Sequence, residues 1–229
     1  MNRTALALAL AVLPSGVASA EDAPVRPGSI GFLVIDGTFG TELVGPMDVL
    51  QHVTGRVEPA PNVFTVGLTR EPVTTAEGLR IVPDYSLDDA PEIDLLVVAS
   101  TVESRGKDRR NEKLVSLLKS RGERARYVMS LCWGAFLLAE AGLLDGGPAT
   151  TFPTDYDLFA KDYPKIDVKR DLSFVDAGKA LTSAGGVKSY EVALYFVENH
   201  YGKEVAQGIA SGLLVDWDRS RVKFYAAQR

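Results

Sequence analysis

The sequence of 229 residues contains one cysteine and two histidines, and this scarcity excludes several kinds of site. A lone thiol cannot form an internal disulfide. Nowhere do His, Cys and carboxylate residues have the spacing of metal ligands, so we expect no metal and no other cofactor. The formal net charge is −5, which argues against a general nucleic-acid binder because such a protein presents a basic face.

Long apolar runs are also scarce, and the one at the amino terminus has the form of a secretory leader. Arg3 precedes a continuous apolar stretch over residues 5–13, and residues 18–20 read Ala-Ser-Ala, a typical cleavage site. We predict a signal peptide over residues 1–20, with a buried N-terminal helix as the alternative, and a flexible lead-in over residues 21–28. Without the leader no apolar run is long enough to span a membrane. We therefore expect a periplasmic or secreted protein with no membrane contact.

The remaining residues, 29–229, show alternating strand and helix patterns and are predicted to form a single domain. This alternation predicts an α/β fold with a mostly parallel sheet covered on both faces. Strands are predicted at residues 29–35, 62–69, 94–99 and 127–131, with hairpins at residues 71–82 and 174–183. Helices are predicted at residues 46–53, 111–120, 133–141, 155–163, 189–200 and 203–211. Pro46 suits the first turn of its helix.

Cys132 lies at the junction between a predicted strand and the helix that follows it. Free N–H groups and the dipole at a helix start favour a thiolate, so this position predicts a lowered thiol pKa and a reactive nucleophile. A sharp turn at a nucleophile needs strained backbone, and Gly134 is the only glycine beside it. The alternative is that Cys132 is a small buried hydrophobic residue.

The segment around this cysteine resembles a known family. Residues 131–146 read LCWGAFLLAEAGLLDG, residues 149–151 read Ala-Thr-Thr, and together they resemble the nucleophile-elbow segment of the DJ-1/PfpI superfamily (class I glutamine amidotransferase-like). The nearest branch holds isonitrile hydratases and the amidotransferase-like domains of some transcription regulators. Residues 42–46 (ELVGP) resemble that branch's acid-x-x-Gly-Pro motif, and residues 181–187 (LTSAGGV) resemble its Gly-Gly segment. The resemblance runs from about residue 30 to residue 217.

The resemblance implies a flavodoxin-like three-layer sandwich with a nucleophile elbow, in a protein that forms a homodimer. It also implies that Glu42 approaches the sulfur of Cys132. A carboxylic acid in an apolar pocket stays protonated and can donate to a thiolate or carry a proton. The alternative for Glu42 is a solvated residue near a helix start, where acidic residues are favoured.

Several positions depart from the family's pattern. Trp133 stands where peptidase-like members have histidine and where isonitrile-hydratase-like members have threonine, and Phe152 stands where a histidine often occurs. His52 and His200 fall at predicted helix ends, so we expect surface or capping roles for both. A Cys-His dyad therefore lacks a histidine, which argues against peptidase and glutaminase activities.

The oxyanion region departs as well, because Ala99-Ser100-Thr101 replaces the family's Pro-Gly-Gly. We expect the N–H groups of Thr101 and Trp133 to bind a developing negative oxygen, or Ser100 and Thr101 to offer hydroxyls to a ligand. Trp133 either covers the thiol pocket, next to Phe152, or fills a dimer or core contact. The two glycines at residues 185–186 lack the context of a nucleotide loop and are interpreted as a close-packing turn.

These patterns favour an exported enzyme that acts on a small electrophilic molecule, such as an isonitrile or a reactive carbonyl, by hydration or hydrolysis. Cys132 would be the nucleophile and Glu42 its proton partner. The first alternative is a ligand-binding or oxidation-sensing stress protein on the same scaffold. A regulatory amidotransferase-like domain comes third, because no helix-turn-helix pattern follows Trp217. The expected partners are a small-molecule ligand and a second copy of the chain.

Overall fold

The computed structural model describes residues 26–227. The predicted signal peptide and residues 21–25 of the predicted lead-in lie outside these residues. In the described end of the lead-in, Pro27 is buried, and its carbonyl oxygen accepts a hydrogen bond of 2.7 Å from the Tyr201 hydroxyl. Residues 28–29 are also held by hydrogen bonds, because both of their backbone N–H groups donate to the Asp94 carboxylate.

The described residues fold into one large sheet, two small ones and six α-helices. In chain order the strands are β1 Ser29–Leu33, β2 Asn62–Gly67, β3 Val73–Thr74, β4 Arg80–Ile81, β5 Tyr85–Ser86, β6 Leu95–Val98, β7 Tyr127–Leu131, β8 Pro148–Ala149, β9 Asp167–Val168, β10 Phe174–Asp176, β11 Ala180–Ser183 and β12 Phe224–Ala226. The α-helices are α1 Gly40–Gln51, α2 Glu112–Arg124, α3 Gly134–Glu140, α4 Tyr156–Asp162, α5 Lys188–Tyr201 and α6 Lys203–Gly212.

The large sheet has eight strands in the order β12-β10-β11-β7-β6-β1-β2-β5. All neighbouring strands are parallel except β10 and β11, which form the predicted antiparallel hairpin. The predicted hairpin over residues 71–82 is also present, as β3 and β4. This mostly parallel sheet with helices on both faces confirms the predicted α/β, flavodoxin-like three-layer sandwich.

Side chains in the central strands alternate between two apolar cores, one on each face of the sheet. In β6, Leu95 and Val97 enter the core formed with α1, α5 and α6, whereas Leu96 and Val98 enter the core formed with α2 and α3. Such a strand is apolar throughout because both of its faces are covered. The near-continuous Val and Leu run in the sequence has this physical cause.

The first helix begins six residues earlier than predicted, at Gly40, so Pro46 lies inside α1 and not in its first turn. Proline cannot donate the i→i−4 hydrogen bond, here to the Glu42 carbonyl. Packing compensates, because α1 lies against α5 at Gly45, where an added Cβ would come within 2.5 Å of the Tyr190 ring. The longer helix places Glu42 in its first turn.

The carboxyl ends of the central parallel strands come together at one edge of the sheet. Leu33, Val98 and Ser130 are successive register partners across β1, β6 and β7, and Ser183 of β11 pairs with Leu131. Residues that immediately follow these strands therefore become neighbours although they lie far apart in sequence. None of the helices described here is long and apolar enough to cross a membrane.

Candidate active site at the strand-to-helix elbow

The chain turns sharply at Cys132, between the end of β7 and the start of α3. The φ angle of Cys132 is 52°, a left-handed conformation that is uncommon outside glycine. The Cys132 N–H donates to the Ser183 carbonyl at 2.9 Å, and the Cys132 carbonyl accepts from Thr151 Oγ1 at 3.0 Å. The strained turn expected at a nucleophile is therefore present and is held by two neighbouring segments.

Two glycines let other backbone approach this turn. A Cβ on Gly134 would overlap the carbonyl oxygen of Val98 in β6. Gly185 has a φ of 88°, and a Cβ there would overlap Cys132 Cβ and lie 2.8 Å from Glu42 Oε1. Only glycine satisfies both the left-handed backbone and the close contact. The structure thus confirms the close-packing turn predicted at residues 185–186.

Glu42 lies beside the cysteine and is only 5% exposed. Its Oε2 accepts hydrogen bonds from the Ser100 N–H at 3.2 Å and from the Ser100 hydroxyl, and its Oε1 accepts from the Gly186 N–H at 3.0 Å. These donors fix the orientation of the carboxyl group. The carboxyl also lies next to Cys132, because a Cβ on Gly185 would meet both residues, so the solvated alternative for Glu42 does not hold.

The environment of the thiol opposes ionisation, which corrects the prediction of a lowered pKa. Burial raises the pKa of Cys132 most, and the negative charge of Glu42 and its hydrogen bond to the thiol raise it further. The Ser100 side chain and the Trp133 N–H at the start of α3 lower the pKa of Cys132, as expected for a helix start, but they are outweighed. The thiol therefore keeps its proton until that proton can move elsewhere.

Thr101 and Ser100 do not have the roles predicted for them. The Thr101 N–H donates to Ser104 Oγ at 2.8 Å, and the Thr101 hydroxyl donates to the Asp108 carboxylate. Neither group is directed to the thiol, so the predicted oxyanion role of Thr101 is wrong. The Ser100 hydroxyl is engaged by Glu42, so Ser100 orients the acid and does not offer its hydroxyl to a ligand.

Trp133 is half-buried in an aromatic cluster formed by Phe39, Trp133 and Phe152. The rings of Phe39 and Phe152 meet the indole edge-to-face at centroid distances of 6.1 and 6.0 Å. The indole Nε1 donates to Asp155 at 2.8 Å, and the Arg105 guanidinium, itself paired with Asp155, stacks 3.9 Å from the ring centroid. Sequence reasoning found Trp133 and Phe152 but missed Phe39, Arg105 and Asp155.

The three rings of this aromatic cluster belong to segments that also shape the thiol site. Phe39 is the N-cap of α1, which carries Glu42. Trp133 follows Cys132 directly, and Phe152 follows Thr151, which holds the Cys132 carbonyl. The cluster therefore lies at the same end of the sheet as Cys132. This placement favours the pocket interpretation of Trp133 over a contact in the core.

Neither histidine lies at the site. His52 is exposed at the end of α1, as expected, and its ring bonds a carbonyl of the preceding turn. His200 is buried with its ring against Tyr127, which corrects its predicted surface or capping role. Because Tyr127 begins β7 and Cys132 follows its last residue, His200 is at the opposite end of that strand. Among residues 26–227 no group of His, Cys, Asp and Glu side chains could hold a metal ion.

The parallel sheet, the strained turn and the buried acid define an α/β protein with a buried cysteine at a strand-to-helix elbow. The model of the DJ-1/PfpI family matches residues 28–199, so the chain belongs to the DJ-1/PfpI family. The superfamily resemblance at the cysteine segment is thereby confirmed.

Relatives within this family include enzymes and regulators. Isonitrile hydratase of Pseudomonas putida is 32% identical over 178 residues, which cover 78% of this chain and 74% of the hydratase. The HTH-type transcriptional regulator GbdR of Pseudomonas aeruginosa is 27% identical over 188 residues, which cover 81% of this chain and 50% of the regulator. The chain thus spans about half the length of this regulator.

Solved structures share the same fold. A THiJ/PfpI family protein from Pseudomonas syringae has a TM-score of 0.75 at 23% identity, covering 92% of this chain and 83% of that one. DJ-1beta of Drosophila melanogaster has a TM-score of 0.69 at 26% identity, covering 82% of this chain and 98% of that one. The central sheet and its helix layers are therefore common to family members with widely different sequences.

Proposed function

We propose that this protein is a cysteine-dependent hydratase or hydrolase for a small electrophile, an isonitrile or a reactive carbonyl compound. Cys132 is the nucleophile and Glu42 its proton partner. The observation that carries the proposal is the buried carboxyl group of Glu42, which lies next to Cys132 and is oriented by Ser100 and Gly186. The likeness to an isonitrile hydratase supports the choice of substrate class.

The raised pKa of Cys132 defines what the acid does. In the resting site the proton stays on sulfur, because burial and the charge of Glu42 both disfavour a thiolate. As sulfur attacks, Glu42 accepts that proton, which replaces the expected role of Glu42 as a protonated donor to a thiolate. The charge that opposed the thiolate then disappears. The proton is then held beside the reacting carbon, ready for transfer. General acid–base help of this kind contributes about 10²–10⁴-fold in rate.

For an isonitrile, R–N≡C, the sulfur bonds to the terminal carbon while the thiol proton passes through Glu42 to the same carbon. The product of this step is a thioimidate, R–N=CH–S–Cys132. Water then adds across the C=N bond, with hydroxyl on carbon and hydrogen on nitrogen. The C–S bond breaks as the hydroxyl proton returns to sulfur, and the formamide R–NH–CHO leaves. One water is consumed and no oxidant or reductant is needed.

The test is turnover of benzyl isocyanide to N-benzylformamide, with methylglyoxal as the carbonyl substrate. We expect Cys132→Ser to lose turnover, and Glu42→Gln to lose at least about 100-fold because the proton acceptor is gone. Glu123→Gln is the matched control, since Glu123 is exposed on α2. Unchanged turnover in both site variants would remove the mechanism, and no turnover of either substrate by the wild type would remove the substrate class.

Oxidation sensing by Cys132 is the competing function, and the environment of the thiol disfavours it. Susceptibility to peroxide follows thiolate character and exposure, whereas Cys132 is 6% exposed and its pKa is raised. We expect mild peroxide to leave the mass of the protein unchanged. Stoichiometric sulfenic or sulfinic acid, without turnover of either substrate, would favour the sensor instead.

We further propose that the protein is exported and forms a homodimer. Removal of residues 1–20 would leave Glu21 as the first residue, which the intact mass of protein from a periplasmic extract or culture medium would reveal. Sedimentation of purified protein should give twice the monomer mass. An intact leader on protein in the cytoplasm would contradict export, and a monomer at micromolar concentration would contradict the dimer. A regulatory role stays third, supported by the likeness to GbdR.

A further inference from the structure

A cavity lies at the carboxyl edge of the sheet, separate from the thiol. It has a volume of about 250 Å³, slightly below the roughly 300–1,000 Å³ of typical small-molecule pockets. Its walls come from residues after β1 and β2, from β3, from the segment after β6 and from the first turn of α2. Neither Cys132 nor Glu42 lines it.

The position of this cavity in the sheet is where open α/β folds bind ligands. The chain runs from β1 to β2 on one side and then returns to β6 on the other side of β1. The crevice outside the carboxyl ends of β1 and β6 is therefore a topological switch point, which is the general ligand position in such sheets. An isolated bridge between Thr38 and Thr101 crosses this crevice. Glu42 lies on the α1 side of the sheet, and the cavity includes Leu114 from α2 on the other side.

A buried carboxyl group lines the cavity without an ion-pair partner. Asp108 is only 8% exposed, and its Oδ2 accepts a hydrogen bond from the Thr101 hydroxyl. Within residues 26–227, no cationic nitrogen lies within 4.0 Å of this carboxylate and no donor is hydrogen-bonded to its Oδ1. Buried carboxylates are normally paired. This one is left with an acceptor oxygen and an open space beside it.

The charges around the cavity leave it deficient in positive charge. Asp36 and Glu71 line it together with Asp108, against the single cation Lys107. Burial raises the pKa of Asp108, the Thr101 hydrogen bond and Lys107 oppose this, and the like charges of Glu103 and Asp36 raise it further. An added cation would relieve that repulsion.

We propose that this cavity binds a small organic cation, with a primary ammonium group on Asp108 and an apolar body against the apolar residues of the lining. Ile35, Leu68 and Leu114 line the cavity and belong to one apolar cluster, which suits a hydrocarbon or aromatic body. The ammonium donates to Asp108 Oδ1, with Glu71 as a second, exposed carboxylate at the mouth. This binding is independent of the thiol chemistry.

The test is an amide NMR titration with benzylamine, using benzyl alcohol as the uncharged probe of the same shape. We expect saturable shifts centred on residues 107–114, at least tenfold weaker binding of benzyl alcohol, and unchanged benzylamine affinity in Cys132→Ala. That variant separates this proposal from the proposed catalytic function. Absence of saturable shifts, or shifts centred on Cys132, would overturn the second site.

Two variants and one control sharpen the titration. Asp108→Asn keeps the acceptor for Thr101 and removes the charge, and we expect it to weaken benzylamine binding about tenfold or more. Glu71→Gln changes an exposed side chain, so it preserves the test if Asp108→Asn does not fold, and it should weaken binding about threefold. Asp216→Asn, whose side chain is 81% exposed outside the cavity, should leave affinity unchanged. Equal affinity in wild type and every folded carboxylate variant would show that no ammonium site exists.

Discussion

The ionisation of Cys132 is decided by three-dimensional neighbours and not by its position in the chain. The sequence predicts the strand, the turn and the helix, and therefore the N–H group of Trp133 that lowers the thiol pKa. It does not show how deeply the sulfur is buried or that Ser100 turns the Glu42 carboxyl group toward it. Burial and a neighbouring charge outweigh one helix turn, so the predicted direction of the shift was reversed.

Gly185 shows the same dependence on close contact, and it gives the first prediction. Gly185→Ala should lower the free energy of unfolding by about 2–5 kcal/mol, because the left-handed backbone costs about 1–2 kcal/mol and steric overlap with Cys132 adds about 1–3 kcal/mol. Gly178→Ala is the matched control, since Gly178 has a φ of 92° but nothing within 4 Å of its added Cβ. Gly178→Ala should lose only the stability that the left-handed backbone costs, about 1–2 kcal/mol. Urea unfolding measures both, and equal losses would contradict the close approach.

At the scale of elements, two features could not be predicted from the sequence, for different reasons. They are the beginning of α1 and the contacts of Asp155 and Arg105 with Trp133, which together form a clamp on the indole. Gly40, Gly45 and Pro46 are poor helix formers, so the helix propensity of these residues did not predict the first turn of α1. Packing of α1 on α5 stabilises that turn instead. Asp155 and Arg105 meet at Trp133 from positions 22 and 28 residues away along the chain. No local pattern connects segments so far apart.

The clamp gives the second prediction. Asp155→Ala should cost about 1–3 kcal/mol of stability, because the Trp133 indole N–H loses its acceptor in a partly buried place. Exchange of that indole proton with solvent should accelerate. Asp157→Ala is the control, since its side chain is 92% exposed and pairs with Arg170 at the surface, where an ion pair contributes about 0–1 kcal/mol. Equal costs, measured by urea unfolding, would argue against the clamp.

At the scale of the whole molecule, the fold was predictable from the sequence, but β12, the strand at one edge of the large sheet, was not. Buried strands alternating with helices require a covered, mostly parallel sheet, whatever the details of each element. The last strand, β12, was missed because residues 224–226 show only a short apolar pattern. In the structure β12 pairs with β10, and Phe224 stacks on Phe174 at a centroid distance of 4.8 Å.

The edge strand β12 gives the third prediction. Phe224→Ala should lower the free energy of unfolding by about 2–3 kcal/mol, less than the roughly 3–5 kcal/mol for a fully buried ring because Phe224 is half-buried. Tyr225→Ala is the control, because Tyr225 is the next residue in β12 and its side chain is 37% exposed. This substitution should lower the free energy of unfolding by less than about 1 kcal/mol. If the two variants have the same stability in urea, the packing of Phe224 from β12 does not stabilise the core.

The most direct test of the account is the rate at which iodoacetamide alkylates Cys132 as a function of pH, in the wild type and in Glu42→Gln, with Glu123→Gln as control. Only the thiolate reacts, so a raised pKa means slow alkylation at pH 7 and a rate still rising above about 8.5, the pKa of free cysteine. Removing the negative charge of Glu42 should shift the profile to lower pH and accelerate alkylation at pH 8. A wild-type midpoint below about 8.5, or superimposable wild-type and Glu42→Gln profiles, would contradict the coupling of Cys132 to Glu42.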